Sequence, residues 1–258
     1  KFLIPQKLYG RDSELQTFHD IISSSLHSKP SLFMVKGYSG IGKTSFINEV
    51  IPMVLIQDGL FLKGKFDQYN RNNAYGAFLS VFSNFIHHVN QLSNEIKIVF
   101  IAKLKEELGD SVVVLSKIFP DFEVLFGSVS DISIEQSLLK NQLLTAVERL
   151  FNVITTYKTT VVIFLDDMQW VDSASLELLQ MIVTSNTIHG MSVIGAYRSN
   201  EVELNHPLVQ TLDQISKNGV SIATIELSPL NEYDTQQMLF DTLKRDDIKE
   251  LAKIVIQK

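Results

Sequence analysis

The stretch Gly37-Tyr38-Ser39-Gly40-Ile41-Gly42-Lys43-Thr44 decides the fold of this chain. It matches the whole pattern G-x-x-x-x-G-K-[ST], in which backbone N–H groups surround a β-phosphate and the lysine reaches the β- and γ-phosphates. A short apolar run at 32–35 precedes the loop, and a helical pattern begins near its end. The helix that follows directs its positive end at the phosphates. This order of strand, loop and helix predicts a site for a nucleoside triphosphate.

Individual contacts can be assigned within this loop. The glycines allow the unusual backbone angles that turn the amide groups inward, and the Thr44 hydroxyl is a predicted Mg²⁺ ligand. We therefore expect ATP or ADP with Mg²⁺. The predicted nucleotide contacts of the loop are Gly37, Gly40, Ile41, Gly42, Lys43, Thr44 and Ser45.

Apolar runs of strand length alternate with helical patterns along the chain. The predicted strands are 32–35, 60–62, 160–165, 192–197 and 221–227, and the predicted helices are 12–26, 44–50, 74–108, 132–157, 173–184 and 208–215. This alternation predicts an α/β fold with a mostly parallel sheet that helices cover on both faces. We expect a core at 1–230, with a helical insertion at about 74–157, and the start of a truncated helical lid at 231–258.

Two patterns inside the helical regions carry further expectations. The predicted helix after the phosphate loop ends before Pro52, because proline disfavours the helical conformation of the residue before it. In the predicted helix 74–108, six apolar side chains are expected to share one buried face. They are Phe78, Leu79, Phe82, Phe85, Ile86 and Val89.

An acidic pair, Asp166-Asp167, follows the most apolar predicted strand. In proteins with this phosphate loop, a carboxylate at the end of a neighbouring strand holds Mg²⁺, so Asp166 is a predicted metal ligand together with Thr44. Asp167 is placed to polarise the attacking water as a general base. The alternative is an acidic pair that only solvates the end of a strand. Two carboxylates beside a phosphate loop favour hydrolysis over binding alone.

Arg198 ends the fourth predicted strand, and the carboxyl ends of parallel strands share one edge. Its guanidinium can contact a γ-phosphate, or it can form only a surface ion pair. The predicted catalytic side chains are thus Lys43, Asp167 and Arg198. Arg71 and Arg149 are weaker candidates for phosphate contacts. The single tryptophan, Trp170, is interpreted as a packing residue.

The composition excludes several classes of function. The 258 residues carry a net charge of −6, which gives no overall attraction to nucleic acid or to a membrane surface. The chain has no cysteine and therefore no thiolate zinc site, and its histidines show no metal-ligand spacing. Without an apolar run of membrane-spanning length or a signal peptide, we expect a cytoplasmic protein. Its last residues stop inside a helical pattern, so we expect a piece of a longer protein.

Residues 165–179, Leu-Asp-Asp-Met-Gln-Trp-Val-Asp-Ser-Ala-Ser-Leu-Glu-Leu-Leu, resemble the second nucleotide motif of the STAND class of AAA-like ATPases. Tyr9-Gly10-Arg11 resembles the entry motif of that class, residues 195–201 with 206–208 resemble its sensor segment, and 227–230 resemble its proline motif. The resemblance implies a sheet in the order 5-1-4-3-2. It also implies that Gly10, Arg11 and Pro229 lie near the nucleotide, that Arg198 is the sensor, and that Asp167 activates water.

Segments 64–69 and 119–127 resemble a subgroup found in large bacterial signalling proteins. In these proteins a serine/threonine kinase precedes the ATPase, and a GAF domain and a histidine kinase can follow it. The implied partners are adjoining kinase or sensor domains of the same polypeptide, and the resemblance leaves room for a nucleotide-dependent homo-oligomer. Nucleic acid and membrane are not expected partners. The chain departs from the fuller family in containing no winged-helix segment with a nucleotide-sensing histidine.

Two functions remain open from the sequence. The first is a regulatory ATPase whose slow hydrolysis switches an adjoining signalling domain. The second is a scaffold that binds nucleotide without hydrolysing it and recruits partners through its helical insertion. A small-molecule kinase is disfavoured because no arginine-rich lid is evident, and a transporter ATPase is disfavoured because no serine-glycine-glycine signature lies between the two nucleotide motifs.

Overall fold

The fold is built on a five-stranded sheet. The computed structural model describes residues 7–25, 29–70, 74–128, 136–158, 160–244 and 248–256. The strands are β1 (Ser31–Gly37), β2 (Leu60–Lys65), β3 (Val161–Asp166), β4 (Met191–Arg198) and β5 (Ile222–Glu226). All neighbours pair in parallel, in the order β2-β3-β4-β1-β5. This is the predicted order counted from the opposite edge, so the predicted α/β fold is confirmed.

Helices cover both faces of the sheet. They are α1 (Asp12–Ser25), α2 (Lys43–Ile56), α3 (Gly76–Gln91), α4 (Asn94–Leu108), α5 (Ser111–Ile118), α6 (Glu123–Phe126), α7 (Gln136–Tyr157), α8 (Ser173–Thr184), α9 (Pro207–Lys217), α10 (Glu232–Leu243) and α11 (Lys249–Ile256). Short 3₁₀ turns lie at Gln68–Asn70, Pro120–Phe122 and Met168–Trp170. Within the described parts of the chain, no helix is long and apolar enough to span a membrane.

Strand β3 shows why the sheet is buried on both sides. Each of its residues is buried, and alternate side chains enter different hydrophobic clusters. Ile163 and Leu165 pack with the helical segment that joins β2 to β3, whereas Val162 and Phe164 pack with α1 and α2. The near-continuous apolar run that predicted this strand is therefore the pattern of a strand covered on both faces.

The prediction of one continuous helix over 74–108 is wrong, because two helices, α3 and α4, occupy this range. Leu92 and Ser93, between α3 and α4, have non-helical backbone angles. The buried face predicted for α3 is confirmed for five of its six side chains, but Leu79 is 37% exposed. Leu79 directly follows the buried Phe78, a step of about 100° around the helix, and this turns it away from the sheet.

The predicted stop of the helix before Pro52 is also wrong, since α2 continues through Pro52 to Ile56. A proline inside a helix leaves the carbonyl four residues earlier without its N–H donor. That residue, Asn48, is exposed, so water can satisfy its carbonyl oxygen. Val50 and Val54 on either side of the proline are fully buried and hold both halves of the helix against the core.

Aromatic side chains tie the helical segment between β2 and β3 into one packed unit. Phe82 of α3 lies 4.5 Å from Phe119, 5.5 Å from Phe122 and 5.8 Å from Phe151 of α7, measured between ring centroids. Aromatic pairs at these distances stabilise a core beyond their buried area. Sequence alone identifies the Phe119-Pro120-Asp121 interruption but not its two buried rings.

Candidate nucleotide-binding site

The phosphate loop lies where β1 meets α2, at the carboxyl edge of the sheet. Gly40 and Gly42 have positive φ angles of 77° and 100°, the left-handed region that glycine adopts without strain. Nothing lies within 4 Å of the place where a Cβ would stand at either glycine, so the loop has open space beside both positions. Gly37 is different, because a Cβ there would lie 2.9 Å from the carbonyl oxygen of Leu227. Ser45, like Thr44, is exposed at the start of α2.

Lys43 is buried at the first turn of α2, with 8% of its surface exposed. Its ammonium group donates to the carbonyl oxygens of Gly37, at 2.9 Å, and of Tyr38, at 2.8 Å. Burial, and next the charge of Arg198, lower the pKa of this amine. No acidic side chain lies within ion-pair distance of it in the described residues, so its charge is balanced only by carbonyl dipoles and by more distant carboxylates. A bound phosphate would supply the missing anion.

Asp166 ends β3 opposite Lys65 in the register of the sheet. It is 6% exposed, and its carboxylate accepts the backbone N–H of Asp167 at 3.0 Å. Burial, reinforced by the neighbouring charge of Asp167, raises the pKa of this carboxyl group. A cation beside it would stabilise the ionised form.

Asp167 has a left-handed backbone, with φ of 55°, which turns the chain into the 3₁₀ turn that follows β3. Its carboxylate receives the Gln169 amide at 2.9 Å and the Lys65 ammonium at 3.0 Å, and the Arg198 guanidinium lies 3.7 Å away. Burial opposes ionisation of this group, but the contacts with Gln169 and Lys65, and the charge of Arg198, together hold the pKa of Asp167 below its usual range. The carboxylate is therefore charged and fixed.

Arg198 ends β4, directly opposite Gly37 at the start of the phosphate loop. Its guanidinium pairs with Glu201 at 2.7 Å and lies over the Trp170 ring, 5.1 Å from the centroid. The surface ion pair considered from the sequence is thus present, and the same side chain also reaches the acidic pair. Trp170 packs against the core, as predicted, and contacts a site residue as well.

Lys65 and Gln169 belong to this site although sequence reasoning did not assign them to it, and His206, from the segment that resembles the sensor, supports Gln169. Gln169 is 3% exposed and bridges Asp167 to the backbone N–H of Arg198, which donates to its Oε1 at 3.2 Å. The Nδ1 of His206 accepts the N–H of Leu208, so its Nε2 donates to the Gln169 carbonyl at 3.1 Å. The positions of Lys65 and Gln169 in the sequence could have indicated this, because Lys65 ends a strand beside the acidic pair and Gln169 follows that pair.

The entry and proline motifs meet on the other side of the loop. Arg11 is 6% exposed, donates to the carbonyl oxygen of Ser228 and pairs with Glu14 at 3.2 Å. Ser228 directly precedes Pro229, so the fold brings together the two segments that the resemblance places near the nucleotide. Gly10 has φ of 60° and lies against Asp234 of α10, where a Cβ would clash.

Beside Gly10, the hydroxyl of Tyr9 donates to Asp241 of the same helix at 2.8 Å. Burial, with this contact, raises the pKa of Tyr9 to about 12. Helix α10 is thus held to the predicted nucleotide pocket by two neighbouring residues of the entry motif.

The remaining sequence candidates are Arg149, Arg71 and Ile41. Arg149 is exposed on α7 and donates to Ser111 at 3.5 Å, away from the phosphate loop. Arg71 lies outside the described residues. Ile41 of the loop packs against the cluster formed by α1 and α2.

The residues present fit a magnesium ion. The Thr44 hydroxyl and the Asp166 carboxylate are hard oxygen donors, which Mg²⁺ prefers, and Mg²⁺ commonly keeps several waters and phosphate oxygens as further ligands. In the described ranges, no group of three or more His, Cys, Asp or Glu side chains is arranged to hold a metal ion.

Comparison with known proteins places this site in a family. The family model of the AAA ATPase domain matches residues 7–194. A curated relative, hybrid signal transduction histidine kinase G of Dictyostelium discoideum, is 27% identical over 184 residues, which are 71% of this chain and 5% of that protein. The chain thus spans a small part of that kinase.

Several solved structures are similar to this chain at low sequence identity. Drosophila ORC bound to DNA has a TM-score of 0.55 at 11% identity and covers 98% of this chain and 51% of its own. Cdc6p from Pyrobaculum aerophilum has a TM-score of 0.50 at 14% identity, over 94% of this chain and 51% of its own. A STAND protein with a tetratricopeptide repeat sensor from Pyrococcus horikoshii has a TM-score of 0.47 at 14% identity, over 98% of this chain and 28% of its own.

The family match covers more than half of the sequence, including the phosphate loop and the acidic pair. The AAA-like resemblance found in the sequence is confirmed by this match, and the relation to signalling proteins by the hybrid kinase relative. The chain belongs to the AAA ATPase domain family.

Proposed function

We propose that this chain is a regulatory switch module that binds ATP and hydrolyses it slowly within a larger signal-transduction protein. One observation supports this most: a buried Lys43, without an ion-pair partner among the described residues, lies at an open glycine loop, at the sheet edge that also carries Asp166, Asp167 and Arg198. The relative that is a hybrid histidine kinase supports the signalling context.

Hydrolysis assigns a role to each of these side chains. Lys43 and Arg198 would offset charge on the phosphates, while the loop amides orient them. A water oxygen attacks the γ-phosphorus, its proton goes to the Asp167 carboxylate, and the bond to the bridging oxygen breaks to release ADP. Mg²⁺, held by Thr44 and Asp166, would neutralise phosphate charge when bound.

The setting of Asp167 supports a slow reaction. A general base works best when its pKa is close to the working pH. The contacts with Lys65, Gln169 and Arg198 lower the pKa of Asp167 instead, so its carboxylate accepts a proton weakly. Slow turnover suits a switch, because the ATP-bound form then lasts long enough to be sensed.

Replacement of the water-activating carboxylate tests the proposal. In Asp167→Asn the amide cannot accept a proton from water, so we expect turnover to fall by about 10²-fold or more while ATP still binds. The measurement is phosphate release under saturating ATP and Mg²⁺. Asp213→Asn is the matched control, because Asp213 is exposed on α9 and pairs with the equally exposed Lys217. Equal rates in wild type and Asp167→Asn would remove Asp167 from the mechanism.

A second function is favoured by the size of the helical segment between β2 and β3. We propose the division suggested by the sequence: a core at 1–230 with an insertion at about 74–157, and a helical lid from 231 onward. Ile98 and Val99 of α4 are each 69% exposed on this insertion, which suits a scaffold that recruits partners. Tight ATP binding without any phosphate release would favour the scaffold over the switch.

A further inference from the structure

The Gln169 side chain links two residues of the site, Asp167 and Arg198. It is 3% exposed, and both ends of its amide are used: Nε2 donates to Asp167 Oδ1 at 2.9 Å, and Oε1 accepts the backbone N–H of Arg198 at 3.2 Å. The amide orientation is determined by chemistry. A flipped amide would put an NH₂ group against an N–H and a carbonyl oxygen against a carboxylate.

The backbone of Gln169 is held as well. Its carbonyl oxygen accepts Nε2–H of His206, and His206 itself accepts the N–H of Leu208 at the start of α9. The side chain that bridges β3 and β4 is therefore supported from a third element. A buried amide with each polar atom paired has a single arrangement, because losing a partner in the interior is destabilising.

Asp167, which the Gln169 side chain holds, needs such support. Asp167 has a left-handed backbone in the turn after β3, so the strand does not fix its direction. Lys65, its other close partner, has a side chain that is 61% exposed. Gln169 is the buried partner, and it connects the carboxylate to the strand end that carries Arg198.

We infer that Gln169 is a positioning residue, which holds the Asp167 carboxylate and the Arg198 strand end in one fixed arrangement for ATP hydrolysis. This inference rests on the proposed function. Gln169 contacts the backbone N–H of Arg198, at a strand end that also pairs with Gly37, and it touches no residue of the phosphate loop in the described contacts. Its loss should therefore reduce the chemical step through Asp167 and leave ATP affinity unchanged.

Two variants remove the amide N–H that Gln169 donates to Asp167, and only one of them keeps an acceptor for the Arg198 N–H. Gln169→Glu keeps an oxygen for the Arg198 N–H but places a like charge against Asp167, whereas Gln169→Met has similar volume and removes both polar atoms. We expect kcat to fall by about tenfold to a hundredfold in both, as for a misplaced reacting group, and the Kd for ATP to stay within about twofold. Gln214→Met, on the exposed face of α9, is the control for the same chemical change.

Two readouts distinguish positioning from a general structural role. The first compares the effect of each variant on kcat, measured by phosphate release, with its effect on the Kd for ATP, measured by calorimetry with Mg²⁺. The second is the emission of Trp170 without nucleotide, which should change in both variants because Arg198 lies over that ring. Thermal unfolding shows which variants are folded, and Gln169→Glu, close in shape to glutamine, serves if Gln169→Met does not fold.

The outcomes are separable. A fall in kcat with unchanged Kd in a folded variant supports the inference. A kcat within about twofold of wild type, or equal losses of kcat and affinity, overturns it while leaving the proposed function in place. Absence of turnover in the wild type contradicts the proposed function itself, and the positioning role falls with it.

Discussion

Lys65 controls how readily Asp167 takes up a proton. Its ammonium lies 3.0 Å from the Asp167 carboxylate, and this contact, together with Gln169 and against the effect of burial, lowers the pKa of that carboxyl. A lowered pKa keeps the base ionised to more acidic pH. In the proposed mechanism, we therefore expect turnover to persist on the acid side of the pH profile.

Lys65→Met tests this assignment. Removal of the ammonium raises the pKa of Asp167, so the acid-side loss of turnover should begin at higher pH in the variant than in wild type. The measurement is kcat against pH with saturating ATP. Lys63→Met is the matched control on the same strand, since Lys63 lies over the Phe164 ring and makes no described contact with Asp167. An unshifted acid limb in Lys65→Met would show that this ion pair does not set the strength of the base.

Single residues of the site differ in how far sequence could predict them. The closeness of Arg198 to the phosphate loop and the acidic pair followed from one rule, that parallel strands end at a common edge. Lys65 and Gln169 were not assigned because their contacts depend on the register of β2 with β3 and on the left-handed turn at Asp167. Neither feature has a sequence pattern of its own.

The contact of β2 with α3 anchors the helical insertion to the sheet. Gly64 permits it, because a Cβ at this position would clash with the carbonyl oxygen of Ala77 and lie 2.9 Å from a methyl carbon of Val81. The backbone of α3 therefore lies directly on the strand that ends in Lys65. We therefore expect a movement of the insertion to be transmitted to the end of β2.

Gly64→Ala should force these elements apart. Overpacking of this kind typically costs about 1–3 kcal/mol, and we expect the free energy of unfolding to fall by that amount in urea denaturation. Gly76→Ala is the control, since Gly76 begins α3 without a positive φ and nothing lies within 4 Å of its missing Cβ. That variant should equal wild type or gain up to about 1 kcal/mol. Equal stability of the two variants would contradict the close packing of α3 on β2.

Helices and strands were predicted well where the apolar pattern of the sequence agrees with the packing in the structure. The helix at 173–184 has the predicted bounds, and β3 agrees to within one residue at each end, because the helix has apolar periodicity and the strand has a near-continuous apolar run. The break at Leu92 and Ser93 was missed because apolar spacing continues across it. The passage of α2 through Pro52 was missed because tertiary packing of Val50 and Val54 outweighs the local preference.

The molecule as a whole joins a nucleotide edge to two attached units. The insertion contacts the sheet through β2, which ends at Lys65, and α10 is tied to the entry motif by Tyr9 and Gly10. Lys65 and the entry motif both belong to the candidate site, so both helical regions contact residues of that site. A change of nucleotide there is well placed to alter their positions, which is the physical basis of the proposed switch.

The central claim is that nucleotide binds at Gly37–Thr44, beside Asp167 and Arg198. Titration of ATP and ADP, each with Mg²⁺, against the emission of Trp170 tests it most directly, because the chain has one tryptophan and Arg198 lies over its ring. We predict a saturable change in wild type and an affinity lower by roughly tenfold or more in Lys43→Ala, which loses a charged hydrogen bond to phosphate. No emission change in wild type, with no heat of binding by calorimetry, would contradict the account.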